Sequence, residues 1–249
     1  MPTRSSASNR LRGRGILVTR PREQAAQLAG LIAQAGGRTH LFPAIEIEDL
    51  PAPAALERLG EFDLAIFVSP TAVARVMPHV PAWPAALRAA AVGAGTRREL
   101  ERRGITAVIS PSGGADSEAL LALSEMQQMA GRRVVIFRGE GGRALLGDTL
   151  AQRGARVEYA ACYRRKRPKS SVQTWKTGEI DAVTVSSAEG LANLFAMLDT
   201  AFLQATPLFV PHPRIADEAR ARAVREVLVA GPSDDDMLHR LVAYFQRHE

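Results

Sequence analysis

Short apolar runs rich in β-branched residues alternate along this chain with longer segments that carry one apolar stripe. That alternation predicts strand–helix units feeding parallel sheets, an α/β fold. Residues 16–19 read as a strand and 22–35 as a helix with Leu28, Leu31 and Ile32 on one face. Gly36 and Gly37 stop that helix, as glycine does just past a helix C-terminus, and 39–42 form the next strand. The motif returns as strand 134–138, helix 144–153, a stop at Gly154 and strand 157–159. Further strands are predicted at 64–69, 89–92, 107–109, 182–186, 208–210 and 227–230, with helices following, among them 71–77, 96–103 and 117–129.

A shift of 118 residues lays the chain on itself. Arg20 falls on Arg138, Gly36 on Gly154, Asp63 on Asp181, Ser69 on Ser187, Asp116 on Asp234 and Leu120 on Leu238. One offset held across most of the chain predicts a duplicated half, and two copies are too few for a solenoid. Two similar domains facing each other would make a cleft, a favoured place for a ligand. Two segments break the rhythm at matching positions. Residues 44–50 (AIEIEDL) alternate apolar and acidic side chains, while 162–167 (CYRRKR) are basic. Opposite charges on two extended segments suit cross-strand pairing, so 44–50 and 160–167 are expected to form a two-stranded β linker.

Composition narrows the class. At 249 residues, 46% hydrophobic and 23% charged, the chain suits two ordinary domains, each able to bury a core. No apolar run approaches the ~18–20 residues that span a bilayer, so no membrane is expected. The opening MPTRSSASNRLRGRG has no apolar core of a secretory signal and reads as a disordered basic tail over 1–14. The single Cys162 excludes an intramolecular disulfide and any CxxC pair, and the expected location is cytoplasmic. Four of the six net positive charges sit on Arg4, Arg10, Arg12 and Arg14, so the remainder is nearly balanced. With aromatics at 5% and no basic stripe interleaved with them, no nucleic-acid partner is expected.

Strong catalytic signatures are missing. The chain has no GxxxxGK[ST], HExxH or GxSxG, and Arg98 stands where the VGAGT segment would need its third glycine. The histidines at 40, 79, 212, 239 and 248 share no ligand spacing, so no metal is expected, and Cys162, with no His nearby, reads as a packed thiol. What remains is a set of polar turns after strands: Arg20-Pro21, Ser69-Pro70-Thr71, Gly95-Thr96, Arg138-Gly139, Ser186-Ser187, Pro213-Arg214 and Ser233-Asp234. Such turns crowd the carboxyl edge of a parallel sheet, where ligands bind, and each is expected to open a helix whose free N–H groups favour anions. Ser, Thr and Asp are equally the preferred N-caps, whatever the ligand. Taken together, the turns suit a large ligand with several carboxylates, held largely by backbone amides.

The series VTRP, FPAIEI, FVSPTAV, AVGAGT, SEALL, FRGEGGRALL, RGARVEYAACYRR, VSSAEGL and GPSDDDML, in that order over about residues 15–246, resembles the uroporphyrinogen-III synthase family. The resemblance implies two flavodoxin- or Rossmann-like α/β domains joined by the linker. The first would be discontinuous, 15–43 plus 168–249, and the second would span 51–159. It implies a lyase that closes hydroxymethylbilane to uroporphyrinogen III with inversion of ring D and loss of water. No metal or organic cofactor is implied, and the protein would act as a monomer on a linear tetrapyrrole octacarboxylate. A non-enzymatic tetrapyrrole-binding or regulatory protein of the same fold is the alternative.

Tyr163 matches the family's characteristic tyrosine and is the implied catalytic residue, facing the cleft as a proton donor to the departing hydroxyl. Cys162 before it, and Arg165 where a Thr is common, depart from the family pattern. Ser69, Thr96 and Ser187 match substrate-cleft positions, and Arg20, Arg138, Gly139 and Arg214 complete the expected substrate-binding set. Pro213-Arg214 stands where some members have Thr-Thr. Deleting 1–14, outside every repeated element, is expected to leave activity intact.

Overall fold

The computed structural model describes residues 10–113, 116–169, 173, 175, 176 and 178–247. The chain divides into two compact units, Met1–Glu46 with Lys166–Glu249, and Ile47–Arg165. In chain order the elements are β1 (Gly15–Val18), α1 (Arg22–Gln34), β2 (Arg38–Leu41), β3 (Glu46–Asp49), β4 (Leu64–Phe67), α2 (Pro70–Val76) and β5 (Arg88–Ala91). Next come α3 (Ala94–Arg102), β6 (Val108–Ile109), α4 (Ser117–Leu121), β7 (Arg133–Gly139), α5 (Leu145–Gln152) and β8 (Arg156–Lys166). The chain ends with β9 (Ala182–Thr184), α6 (Ala188–Met197), α7 (Thr200–Ala205), β10 (Leu208–Val210), α8 (Pro213–Ala221), β11 (Val227–Val229) and α9 (Asp234–Arg247).

The first unit holds a five-stranded sheet in the order β11-β10-β9-β1-β2, and its pairings are parallel. Strand β1 (GILV) is buried at every residue, as a parallel strand covered on both faces must be. Its alternation splits the core: Ile16 and Val18 pack with Leu28, Ile32, Leu241 and Phe245 on one face, while Leu17 packs with Val183, Leu191 and Ile215 on the other. The second unit repeats this logic in a six-stranded sheet, β3-β8-β7-β4-β5-β6. There β4 sends Ala65 and Phe67 to the face shared with Val73 and Leu100, and Leu64 and Ile66 to the face shared with Leu120 and Leu150.

The duplication is geometric as well as textual. In one unit Arg14 Nη1 and the Gly15 amide donate to the Asp181 carboxylate at 2.8 and 2.7 Å; in the other, Arg132 Nη1 and the Arg133 amide donate to Asp63 at 3.0 and 2.8 Å. The Gly13 amide meets the Gly36 carbonyl at 2.7 Å, and Gly131 meets Gly154 at 2.9 Å. Both α1 and α5 end the same way. Gly36 (φ 81°) and Gly154 (φ 88°) take the left-handed conformation, and the next amide, Gly37 or Ala155, reaches back to Ile32 or Leu150. All of these pairs are 118 residues apart.

The structure corrects several expectations. Residues 10–14 are no tail: Leu11 is fully buried in the first core, its amide bonds the Ala35 carbonyl at 2.8 Å, and Arg14 belongs to the repeated ion pair. The arginines around Leu11 masked a single apolar anchor. Residues 1–9 of the expected tail lie outside the described residues. Residues 160–166 form the end of a longer strand, β8, since 156–166 contain no Gly or Pro to break it. Its sheet neighbours are β7 and β3, the latter at 46–49 within the expected first linker. The helix expected over 117–129 stops at Leu121, and a separate 3₁₀ turn occupies Ser124–Met126.

Candidate active site

In the second unit the carboxyl ends of β4, β5 and β7 carry the expected residues. Ser69, extended at φ −158° and ψ 157°, caps α2: its Oγ accepts the Ala72 amide at 3.1 Å, and Pro70 opens the helix. The same Oγ lies 3.0 Å from the Tyr163 hydroxyl. Tyr163 is reached through a bulge in β8. Arg138 pairs with Ala161 but Gly139 with Tyr163, so Cys162 is the extra residue. A Cβ at Gly139 would sit 2.8 Å from Tyr163 Cε2, so only glycine lets the ring lie across β7 here.

Tyr163 therefore differs from its expected place. Its side chain is 1% exposed and packed in the core of its own unit, and Ser69 is the half-buried end of the hydroxyl pair. Cys162 Sγ–H donates to the Arg138 carbonyl at 3.3 Å, and burial pushes its thiol up to about 11. That describes a neutral packing thiol. Thr96 lies in the first turn of α3 and is 3% exposed.

Sequence reasoning passed over Gly93. It is the N-cap of α3, extended, with no side-chain oxygen to take the first amides. A helix start without a side-chain cap leaves its N–H groups to an outside acceptor. The signal was present as a glycine where β4's helix has a serine.

Arg138 folds onto its own loop. Its guanidinium turns into the loop that follows, with Nε on the Gly139 carbonyl at 3.3 Å, Nη1 on that of Arg143 at 3.2 Å and Nη2 on that of Gly141. The left-handed Gly141 (φ 73°) and Gly142 (φ 88°) let the loop curl around it, and the Tyr159 ring lies 4.9 Å beneath. Nor does this turn open a helix, since α5 begins only at Leu145.

In the first unit Ser187 reproduces Ser69: φ −158°, ψ 158°, with Oγ accepting the Gly190 amide at 3.0 Å. Arg20 is committed to Asp234 at the start of α9, an ion pair whose side chains are 16% and 7% exposed. Arg20 is thus held within its own unit by this ion pair. His212, read in the sequence only as lacking metal-ligand spacing, caps α8 by accepting the Arg214 amide on Nδ1 at 3.1 Å. Arg214 itself is exposed, and its guanidinium has no partner among the described residues. At the α9 start, the Ser233 hydroxyl and amide hold the Asp236 carboxyl below the usual range.

Thus Ser69, Thr96, Gly139, Arg138 and Tyr163 gather at the carboxyl edge of one sheet, and Arg20, Ser187 and Arg214 at that of the other. No trio of His, Cys, Asp or Glu among the described residues is placed to hold a metal ion.

Doubly wound units with serine-capped and open helix starts at their strand ends are the class of α/β protein that takes small anionic ligands at that edge. The model of the uroporphyrinogen-III synthase HemD family matches residues 26–239. The chain is 34% identical to uroporphyrinogen-III synthase of Escherichia coli (strain K12) over 241 residues, 90% of this chain and 98% of that protein. It is 32% identical to the Proteus mirabilis protein of that name over 193 residues, covering 73% and 97%. Among solved structures, a mutant uroporphyrinogen III synthase from the extremely thermophilic bacterium Thermus thermophilus superposes with a TM-score of 0.63 at 21% identity, covering 94% of this chain and all of that one. The Helicobacter pylori uroporphyrinogen-III synthetase gives 0.63 at 13% identity, covering 93% and 99%. This chain belongs to the uroporphyrinogen-III synthase family.

Proposed function

We propose that the protein closes hydroxymethylbilane to uroporphyrinogen III, inverting ring D and releasing water. The observation that carries this reading is a full-length family match, 34% identical to a named synthase over 90% of the chain. Chemically, ring A loses hydroxide to give an azafulvene electrophile. Ring D then attacks through its substituted carbon, and the spiro intermediate reopens and closes inverted. Spontaneous closure favours the uninverted isomer, so conformational control is the main task. Holding the reacting ends in near-attack geometry supplies up to ~7–11 kcal/mol in ideal cases.

In the second unit, substrate carboxylates are assigned to the open start of α3, with the Ser69 turn and Thr96 at the strand ends; in the first unit, they are assigned to Arg214, with the Ser187 turn. Arg138 and Arg20 are each assigned to shaping the strand edge of their own unit. Because Tyr163 is buried behind Ser69, its role is assigned through that residue: the Ser69 hydroxyl gives its proton to the departing hydroxyl and takes one from Tyr163, and the proton that the ring D carbon sheds on closure returns through Ser69 to restore Tyr163. Such proton transfer contributes roughly 10²–10⁴-fold. The same reading has the protein act as a cytoplasmic monomer, with a discontinuous domain (15–43 and 168–249) and an inserted one (51–159). No helix among the described residues is long and apolar enough to cross a membrane.

Purified protein should consume hydroxymethylbilane saturably and well above the rate of closure in buffer. Tight binding of the bilane without faster consumption would favour the non-enzymatic reading instead.

A further inference from the structure

The two arginines at the carboxyl ends of β1 and β7 are equivalent in the repeat but are held in different ways. Arg20 and Arg138 stand 118 residues apart, and so do Asp234 and Asp116. In the first unit the pair closes on itself, with Arg20 meeting the Asp234 carboxylate. In the second unit the pair is split. Asp116 accepts the Ala119 amide at 2.7 Å as the cap of α4, and Arg138 has no carboxylate partner among the described residues. Its three nitrogens rest on neutral oxygens, the carbonyls of Gly139, Arg143 and Gly141, with the Tyr159 ring 4.9 Å beneath.

The loop that supplies these carbonyls has little else to hold it. Residues 141–145 are exposed, and Gly141 and Gly142 sit at φ 73° and 88°. Two surface ion pairs fix its flanks, Arg164 to Glu140 at 3.1 Å and Arg143 to Glu118 at 2.8 Å, and exposed pairs of this kind hold weakly. Tyr159 donates to the Ala144 carbonyl at 2.9 Å, and Gly147 leaves room for its ring, since a Cβ there would run into the hydroxyl. The ring is a fixed platform, and the glycine segment, which buries no side chain, is the part able to move. A carboxylate adds a Coulomb attraction that a carbonyl dipole lacks, and the guanidinium fork takes both its oxygens at once. The Gly141 and Arg143 carbonyls it would leave are exposed, so water replaces the guanidinium there at little cost.

We propose that Arg138 is a latch. In the free protein it fastens the 139–144 loop, and on binding it passes to a carboxylate of the linear tetrapyrrole, which releases the glycine segment. Arg20, whose carboxylate is built in, does not exchange. The latch rests on the reading of this edge as one that takes the bilane, and it adds what binding changes there.

The test is nuclear magnetic resonance on the full chain, with uroporphyrinogen III kept reduced as the probe. It reads the Arg138 Nε–H signal, assigned by its loss in Arg138→Gln, and the backbone order of Gly141 and Gly142. Adding the probe should shift the Arg138 signal and lower the order parameters of both glycines from about 0.85 to below about 0.6. The Arg20 signal should stay in place. Gly142→Ala should loosen the latch in advance, because its Cβ would meet Arg138 Nη2 and alanine resists this φ. Removing the competing fastened state should tighten probe binding about fivefold, whereas a loop with a purely structural role would bind as the parent does or worse. In turnover, Arg138→Gln should raise KM about tenfold more than it lowers kcat. An unmoved Arg138 signal with the probe bound, a parental KM in Arg138→Gln, or no gain of affinity in Gly142→Ala would overturn the latch and leave bilane closure standing. A parent protein that neither binds the probe nor speeds closure would overturn both.

Discussion

Removing the Tyr163 hydroxyl separates a packing role from a chemical one. In Tyr163→Phe the ring stays where Gly139 admits it, and one hydrogen bond of 3.0 Å to Ser69 is lost. A net contribution of about 0.5–1.5 kcal/mol is typical for such a bond. Ser69 keeps the Ala72 amide at 3.1 Å, so the α2 cap survives. Stability should fall by about 1 kcal/mol, a drop in Tm of about 2–4 °C for a chain of this size. Turnover should fall by one to three orders of magnitude, within the general-acid range of roughly 10²–10⁴ discounted for transfer through Ser69. Rapid-quench single-turnover closure and calorimetry on one preparation give both numbers, and the product should remain mainly the type III isomer. Ser69→Ala should lose as much turnover and more stability, because it removes a cap worth about 0.5–2 kcal/mol and leaves the Tyr163 hydroxyl buried without this partner. Wild-type turnover in Tyr163→Phe would refute the proton role. A switch to the type I isomer would show that Tyr163 positions ring D instead.

Leu11→Ala should cost about 2–5 kcal/mol in urea unfolding, as other buried leucines do; deletion of 1–14 should destabilise further, because it also removes the Arg14–Asp181 pair. The lowered Asp63 carboxyl, held first by the Arg133 amide and then by Arg132, adds stability that is present above its usual value near 3.8 and lost as pH falls below it. Asp63→Asn should therefore flatten the acid limb of the stability–pH curve, and an unchanged limb would remove that carboxylate from the account. With its thiol raised to about 11, Cys162 should resist a disulfide reagent at pH 8 until the chain unfolds. Stoichiometric reaction in the native state would contradict its burial.

The repeat was legible because strand and helix periodicity, the Gly36 and Gly154 stops and the paired aspartates are local signals that duplication copied together. Capping serines were legible for the same reason. The Arg20–Asp234 pair was not legible because the two residues lie 214 apart, a distance no local pattern spans. The loop contacts of Arg138 were not legible because they depend on two left-handed glycines downstream that let the loop fold onto it. The burial of Tyr163 depends on a one-residue bulge at Cys162, which reverses the alternation expected of β8. Leu11 shows the limit of composition: one apolar side chain among arginines anchors a segment whose charge alone suggested disorder.

The central claim is steered closure of the tetrapyrrole, and the isomer formed tests it most directly. Hydroxymethylbilane should be supplied to the purified protein, the products oxidised to porphyrins, and the type I and type III forms separated and counted. The account predicts that uroporphyrinogen III dominates, in proportion to enzyme and faster than closure in buffer. Type I alone, at the spontaneous rate, would contradict it.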